Sequence, residues 1–152
     1  MTEISFYHLQ YSSAPTAVVR LVQKAADRKL PTLLLCQNED MVKEVDELLW
    51  TFSTDAFIPH ATDQDALTDQ QPVLISSHHE LPANHAELLV IQGRTAALDE
   101  AYLKHFNKVM DVFDGSNDND VAEARKRWAH YKKQGYTMTY WKQNQKGGWQ
   151  QG

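Results

Sequence analysis

The chain has 152 residues, of which 42% are hydrophobic and 23% charged, and its formal net charge is -5. This length and composition exclude a disordered protein and fit one globular domain that buries a core without metal or disulfide support. The acidic balance argues against a general affinity for nucleic acid.

The first half of the chain alternates strand-like and helix-like segments. ISFYHL (4–9) is rich in β-branched and aromatic residues and predicts a strand, and the apolar spacing from Pro15 to Arg28 predicts a helix. TLLLC (32–36) predicts a strand buried on both faces, which ends at a buried, inert Cys36. NEDMVKEVDELLW (38–50) predicts a second helix capped by Asn38. One cysteine allows no internal disulfide, which is typical of a reducing compartment.

The second half continues this alternation. AFIPHA (56–61) predicts a short strand that lies at a sheet edge or ends at Pro59, because Pro59 lacks an N–H donor, and PVLIS (72–76) and ELLVIQ (87–92) have strand length. LDEAYLKHFNKVM (98–110) has helical spacing, and DVFDG (111–115) fits a short strand or a turn. A basic helix is predicted from about Val121 to Gln134, capped by Asn119 or Asp120 and stopped by Gly135. A last strand, YTMTYWKQ (136–143), precedes a Gln/Gly-rich segment.

These elements predict a single α/β domain over residues 1–143 and a mobile tail over 144–152. The domain is expected to be a three-layer sandwich with a mostly parallel central sheet and helices on both faces, resembling nucleotide-binding folds. The sequence does not open on a charged stretch followed by an apolar stretch, and no apolar run approaches membrane-spanning length, so a soluble, cytoplasmic protein is expected.

Catalytic and cofactor motifs are weak throughout the sequence. Neither GxGxxG nor GxxxxGK[ST] occurs, and the turn after the first strand, QYSSAPT, has no glycine, so no nucleotide cofactor is expected. HHELPANH (78–85) gathers three histidines and a glutamate, but Pro82 breaks the helix that an HExxH zinc site requires. Neither an enzyme nor a metal site is therefore predicted.

Charge is distributed unevenly along the chain. Residues 121–152 carry a net charge of about +6, which leaves about -11 on the rest. The segment ARKRWAHYKKQGY (124–136) interleaves these cations with aromatics. Helical spacing puts Trp128 on the border between a core face and a face with Arg125 and Lys132, whereas Lys126, Arg127 and Lys133 are expected in solvent.

Three interpretations of this helix stay open at the level of spacing. It is an ordinary amphipathic helix with Trp128 in the core, or one wall of a groove for a peptide that ends in acids and a hydrophobic residue. The third interpretation uses the cations for phosphates and the aromatics for base stacking, as in a direct single-stranded nucleic-acid-binding protein. The acidic remainder of the chain disfavours the third.

The order of SFYHL, ELLWTFSTDAFIPHA, PVLIS, VFDG and ARKRWAHYKKQGY resembles the chi subunit of bacterial DNA polymerase III holoenzyme over nearly the whole chain. The resemblance implies a small α/β protein without catalytic activity that acts in DNA replication. It implies two partners: the psi subunit of the clamp-loader complex, and the acidic C-terminal tail of single-stranded DNA-binding protein. Contact with nucleic acid would then be indirect.

The resemblance also implies roles for particular residues. Arg125 would hold the carboxylates of the acidic tail, Trp128 and Phe113 would form the pocket for its last aromatic residue, and Lys132 would add long-range attraction. The apolar surface that receives psi would consist of four residues on the opposite side of the domain: Trp50, Phe57, Ile58 and Pro59. A repair helicase is a further partner that the family implies for this second surface.

Overall fold

The structure, a computed structural model, describes residues 2–11, 14–51, 60–62, 73–77, 85–93, 96–146 and 148–151. The strands in these ranges are β1 (Glu3–Leu9), β2 (Thr32–Cys36), β3 (His60–Thr62), β4 (Val73–Ser76), β5 (Leu88–Gln92), β6 (Lys108–Asp114), β7 (Thr137–Gln143) and β8 (Trp149–Gln151). The helices are α1 (Ala14–Asp27), α2 (Glu39–Thr51), α3 (Glu100–Leu103) and α4 (Asp118–Lys133).

One sheet contains all the described strands, in the order β3-β4-β2-β5-β6-β1-β7-β8. Neighbouring strands are parallel except for β7 and β8, which are antiparallel. Helices α1 and α2 pack on one face of the sheet, and α3 and α4 pack on the other. The predicted α/β sandwich with a mostly parallel sheet is therefore confirmed.

Burial on both faces explains the apolar character of the central strands. Every residue of β2 and β5 is buried, since these neighbouring strands lie beneath helices on both sides. Cys36, at the end of β2, is fully buried, and burial raises the pKa of its thiol to about 12. The prediction of an inert cysteine is consistent with that environment.

The segment 98–110 differs from its prediction as one helix. Helix α3 ends at Leu103, and Lys108–Asp114 forms β6 between β5 and β1. Hydrogen bonding to a strand on each side overrides local helical spacing, and the buried Val109 and Phe113 face α4 from the sheet. The helical interpretation of residues 104–110 was therefore wrong.

The boundaries of the basic helix also shift. Asn117 is the N-cap of α4, because its side-chain oxygen accepts a hydrogen bond from the Asp120 N–H at 3.1 Å. The predicted caps, Asn119 and Asp120, already lie inside the helix. At the other end, Gly135 adopts a φ of +87°, the left-handed conformation that stops a helix, as predicted.

The segment after residue 143, predicted as a mobile tail, contains the short strand β8. The side-chain oxygen of Asn144 accepts hydrogen bonds from the backbone N–H groups of Lys146 and Gly148, at 3.0 and 2.9 Å. These bonds form a tight turn that pairs β8 with β7, and the ring of Trp149 packs edge-on against Tyr7 at 5.0 Å between centroids. Glycine and glutamine here serve a hairpin turn and a short edge strand.

Candidate peptide-binding groove

A concave groove of about 370 Å³ lies between α4 and the carboxyl-terminal halves of β1, β6 and β7. Its walls combine aromatic side chains with a small number of polar ones. The lining residues are Phe6, His8, Phe113, Val121, Ala124, Arg125, Trp128 and Tyr140. Of the four residues predicted for tail binding, the structure brings together Phe113, Arg125 and Trp128, whereas Lys132 is exposed further along α4.

Aromatic rings form the floor and walls of this groove. The rings of Phe6 and Trp128 meet edge to face at 5.3 Å, and Trp128 meets Tyr140 in the same way at 5.9 Å. Trp128 is half-buried and packs on the core while it lines the groove. Trp128 thus contacts the core, as the first interpretation expects, and its role as a binding residue stays a prediction. Edge-to-face contacts hold each ring in place and leave a preformed apolar cavity.

Sequence reasoning missed a polar pair, His8 and Tyr140, in the groove. His8 Nδ1 and the Tyr140 hydroxyl share a hydrogen bond across the paired strands β1 and β7. The pKa of His8 is lowered by burial and by the nearby Lys142 and Arg125, and Asp114 partly opposes this. A signal was present in the sequence, since His8 follows Phe6 by two residues and so faces the same side of the strand.

Two neighbouring cations of α4 have opposite environments. Arg125 is exposed at the groove, and its positive charge acts to lower the pKa of both His8 and Tyr140. Arg127 is 3% exposed and forms a two-pronged ion pair with Asp111 of β6, with Nε to Oδ2 at 2.7 Å and Nη2 to Oδ1 at 2.9 Å. The prediction that Arg127 lies in solvent was therefore wrong.

The remaining predicted surface cations of α4 lie in solvent as expected. Lys133 is exposed, and the side chain of Lys126 is 73% exposed and pairs with Glu123 at 3.3 Å. Such a pair contributes little to stability. Arg125 is therefore the cation that α4 adds to the lining of the groove.

The family model described as DNA polymerase III chi subunit, HolC, matches residues 1–139. The chain belongs to this family. A relative named DNA polymerase III subunit chi, from Pseudomonas aeruginosa, is 31% identical over 143 residues, which cover 91% of this chain and 94% of the relative. Another, from Rickettsia prowazekii and named probable DNA polymerase III subunit chi, is 26% identical over 117 residues, covering 75% of this chain and 71% of the relative.

The structure describes only a small part of the surface that is predicted to receive psi in this chi-family chain. Trp50 belongs to α2, on the sheet face opposite α4, but its side chain lies outside the described part of the structure. Phe57, Ile58 and Pro59 also lie outside the described residues. Their role toward psi stays a prediction.

Among the described residues, no group of three or more His, Cys, Asp or Glu side chains is placed to hold a metal ion. His78, His79 and Glu80 of the histidine-rich loop lie outside those ranges, and His85 is exposed. None of the helices within the described ranges has both the length and the apolar character that crossing a bilayer requires.

His8 predicts a pH dependence of stability in this chi-family member. Because its pKa in the folded state is lowered below the ordinary value of 6.5, the unfolded chain takes up a proton there first as the pH falls. The contribution of neutral His8 is complete above about pH 6.5 and is lost as the pH falls through the folded-state pKa. His8→Gln is expected to reduce the loss of unfolding free energy between about pH 7.5 and about pH 5.5.

Urea unfolding at both pH values, followed by circular dichroism, measures this effect. His105→Gln changes an exposed histidine on the loop after α3 and is the matched control. Equal pH dependence in wild type and His8→Gln would show that His8 does not contribute to acid sensitivity.

Proposed function

We propose that this chain is a noncatalytic adaptor of DNA replication that links the clamp loader, through psi, to the acidic C-terminal tail of single-stranded DNA-binding protein in the cytoplasm. Membership of the DNA polymerase III chi subunit family supports the assignment to that holoenzyme. The main support for the tail-binding role is the position of Arg125 beside a preformed aromatic groove.

The chemistry of the groove suits a peptide with an aromatic last residue and a free carboxylate. A cavity of about 370 Å³ walled by Phe6, Phe113 and Trp128 accommodates one large apolar side chain. The planar guanidinium of Arg125 presents paired donors that match a carboxylate. Because the ring and the carboxylate belong to one terminal residue, the cavity binds the ring while Arg125 beside it binds the carboxylate.

Long-range charge supports the same ligand. The net charge of about +6 over residues 121–152 lies next to a body of about -11, so acidic peptides are attracted to the end of the chain that contains α4. Direct binding of single-stranded DNA is the rival function. It requires exposed ring faces for successive bases, whereas the groove rings contact one another edge to face in a concave cavity.

The psi role rests on the family and on the sequence around Trp50. Helix α2 lies on the face of the sheet opposite α4, so a partner at the end of α2 would leave the groove open. An adaptor needs two surfaces that are occupied together. A repair helicase that used the same second surface would compete with psi and not with the tail.

The experiment is a reciprocal test with two variants and two ligands. A labelled peptide ending in Asp-Asp-Ile-Pro-Phe is titrated by fluorescence anisotropy, and psi is measured by co-purification. Arg125→Ala is expected to weaken peptide binding about tenfold or more, because it removes a charge-assisted bond at a partly desolvated site, and to retain psi. Trp50→Ala is expected to lose psi and to keep the peptide.

Circular dichroism of each variant checks folding. Absence of peptide binding by the wild type, or equal binding by folded Arg125→Ala, would refute the tail-binding role. Tight retention of the wild type on single-stranded DNA at physiological salt, without any peptide-bearing partner, would favour the rival function instead.

A further inference from the structure

Strand β7 contributes a second cation beside the groove. Residues two apart on a strand face the same side of the sheet, so Lys142 faces the same side as Tyr140, which lines the groove. Lys142 is also the register partner of His8 on the neighbouring strand β1, and His8 lines the groove as well. The long exposed side chain of Lys142 therefore starts at the β7 wall, opposite the α4 wall that carries Arg125.

Arg125 and Lys142 both lie close enough to His8 to shift the pKa of its ring. Lys142 and Arg125 each lower the pKa of His8, after the larger effect of burial. Asp114 is the acid that acts on His8 in the opposite direction, and its carboxylate already accepts hydrogen bonds from the Ser116 N–H and hydroxyl, at 2.9 and 2.6 Å. The rings of Phe113 and Tyr140 also pack against the His8 ring. The mouth of the groove is thus positive on both sides.

Lys132, in contrast, lies away from Arg125 and the groove. It lies seven residues after Arg125 on the same helix, which places it about 10 Å away along the helix axis. It neither lines the groove nor contributes to the shift at His8. A peptide anchored in the groove has to turn along α4 to reach Lys132, whereas it meets Lys142 by crossing the mouth.

We propose that Arg125 and Lys142 act as paired cations on opposite walls, and that acidic residues upstream of the ligand's aromatic C-terminal residue cross the groove toward β7. This inference rests on the proposed tail-binding function and adds the direction of the bound peptide. Arg125 holds the terminal carboxylate, because that group stays within one residue of the ring in the cavity. Lys142 holds a side-chain carboxylate of an upstream residue. In an extended peptide, each residue upstream lies about 3.3–3.6 Å further from the C-terminal residue that Arg125 holds.

Peptide charge and protein charge are changed together to test this inference. The two peptides end in Asp-Asp-Ile-Pro-Phe and Asn-Asn-Ile-Pro-Phe, both with a free carboxylate. The protein variants are Lys142→Glu, Lys132→Glu and Lys146→Glu, of which Lys146 is an exposed lysine in the turn after β7. Anisotropy is measured at low salt and again at physiological salt, and thermal unfolding confirms that each variant is folded.

Lys142→Glu is expected to weaken binding of the Asp peptide about five- to tenfold at low salt, since it replaces an attraction with a repulsion beside the groove and little salt is present to screen it. For the Asn peptide the change is expected to stay within about twofold, because the upstream charges are absent. At physiological salt, where long-range attraction is screened, Lys132→Glu and Lys146→Glu are expected to change binding of the Asp peptide by less than about twofold, and by less than Lys142→Glu does in the same buffer.

Three results would overturn the inference, and they are distinct from failure of the proposed function. If the wild type binds and Lys142→Glu behaves like Lys146→Glu, the acids do not cross to β7. If Lys132→Glu has the largest effect, the peptide runs along α4. If Lys142→Glu weakens binding of an oligothymidine as strongly as binding of the Asp peptide, the cation serves phosphates. Absence of wild-type peptide binding refutes the proposed function itself.

Discussion

Arg127→Ala is expected to lower the free energy of unfolding by about 3–5 kcal/mol, because it leaves the Asp111 carboxylate buried without its partner. Asp111 is fully buried in β6, and both of its oxygens receive hydrogen bonds from the Arg127 guanidinium. Burial raises the pKa of Asp111 and Arg127 opposes that rise, so the variant would also favour protonation of the acid. Urea unfolding monitored by circular dichroism measures the loss.

Matched controls come from the two residues before Arg127 in α4. Arg125→Ala and Lys126→Ala remove exposed cations and are expected to change the unfolding free energy by no more than about 0.5 kcal/mol. Arg125→Ala and Arg127→Ala would then separate binding from stability within one helical turn. A loss below about 1 kcal/mol in Arg127→Ala would show that the ion pair contributes no more than a surface pair.

Gly115→Ala is expected to cost about 3 kcal/mol of unfolding free energy and also to weaken binding of the Asp-Asp-Ile-Pro-Phe peptide. An added Cβ would lie 2.1 Å from His8 Nε2 and 2.4 Å from the Leu9 carbonyl oxygen. That carbonyl accepts the Gly115 N–H at 2.8 Å, so the backbone has little freedom to move away. Relief of the clash has to displace the His8 ring, which lines the groove.

Gly135→Ala is the control for this substitution. Gly135 has a positive φ, but an added Cβ there meets no atom within 4 Å, so its cost is limited to backbone conformation, about 1–2 kcal/mol. It is not among the residues that line the groove, so peptide binding should not change. Urea unfolding and anisotropy, made on both variants, separate the two effects. Unchanged peptide binding by folded Gly115→Ala would show that the position of His8 does not matter for the ligand.

Most elements of the fold were accessible from the sequence because they are local patterns. TLLLC predicts a buried strand and NEDMVKEVDELLW predicts a capped helix, and in the structure the Asn38 side chain does accept the Met41 N–H at 2.9 Å. The failure at 104–110 has a nonlocal cause, since β6 is defined by the strands on either side of it. Spacing within one segment does not report neighbours that are distant in sequence.

The burial of Arg127 also depends on residues that are distant in sequence, although two traces of it are present in the local sequence. Arg127 lies three residues after Ala124 and four before Tyr131, which are both buried, so it belongs to the buried face of α4. An acid inside the apolar run KVMDVFD was the second trace, because a buried acid needs a partner. Neither trace alone identifies the pair. Register and helix placement bring the two residues together.

For the site, the resemblance to the chi subunit supplied Phe113, Arg125 and Trp128, and the structure places these three residues in one groove. It did not supply His8 and Tyr140, which lie on strands at opposite ends of the chain. Their hydrogen bond depends on the pairing of β1 with β7. The groove therefore combines a helix pattern that sequence shows with a strand pairing that it does not.

The place of β1 in the sheet has a consequence for folding during synthesis. Glu3 pairs with Lys108 on one side and with Thr137 on the other, so both neighbours of the first strand belong to the last third of the chain. Contacts of such long sequence separation form late, since the chain loses much entropy before they are made. On the ribosome, β1 must stay unpaired until β6 and then β7 emerge. Assembly of the groove should therefore be among the last events of folding, completed when β7 closes against β1.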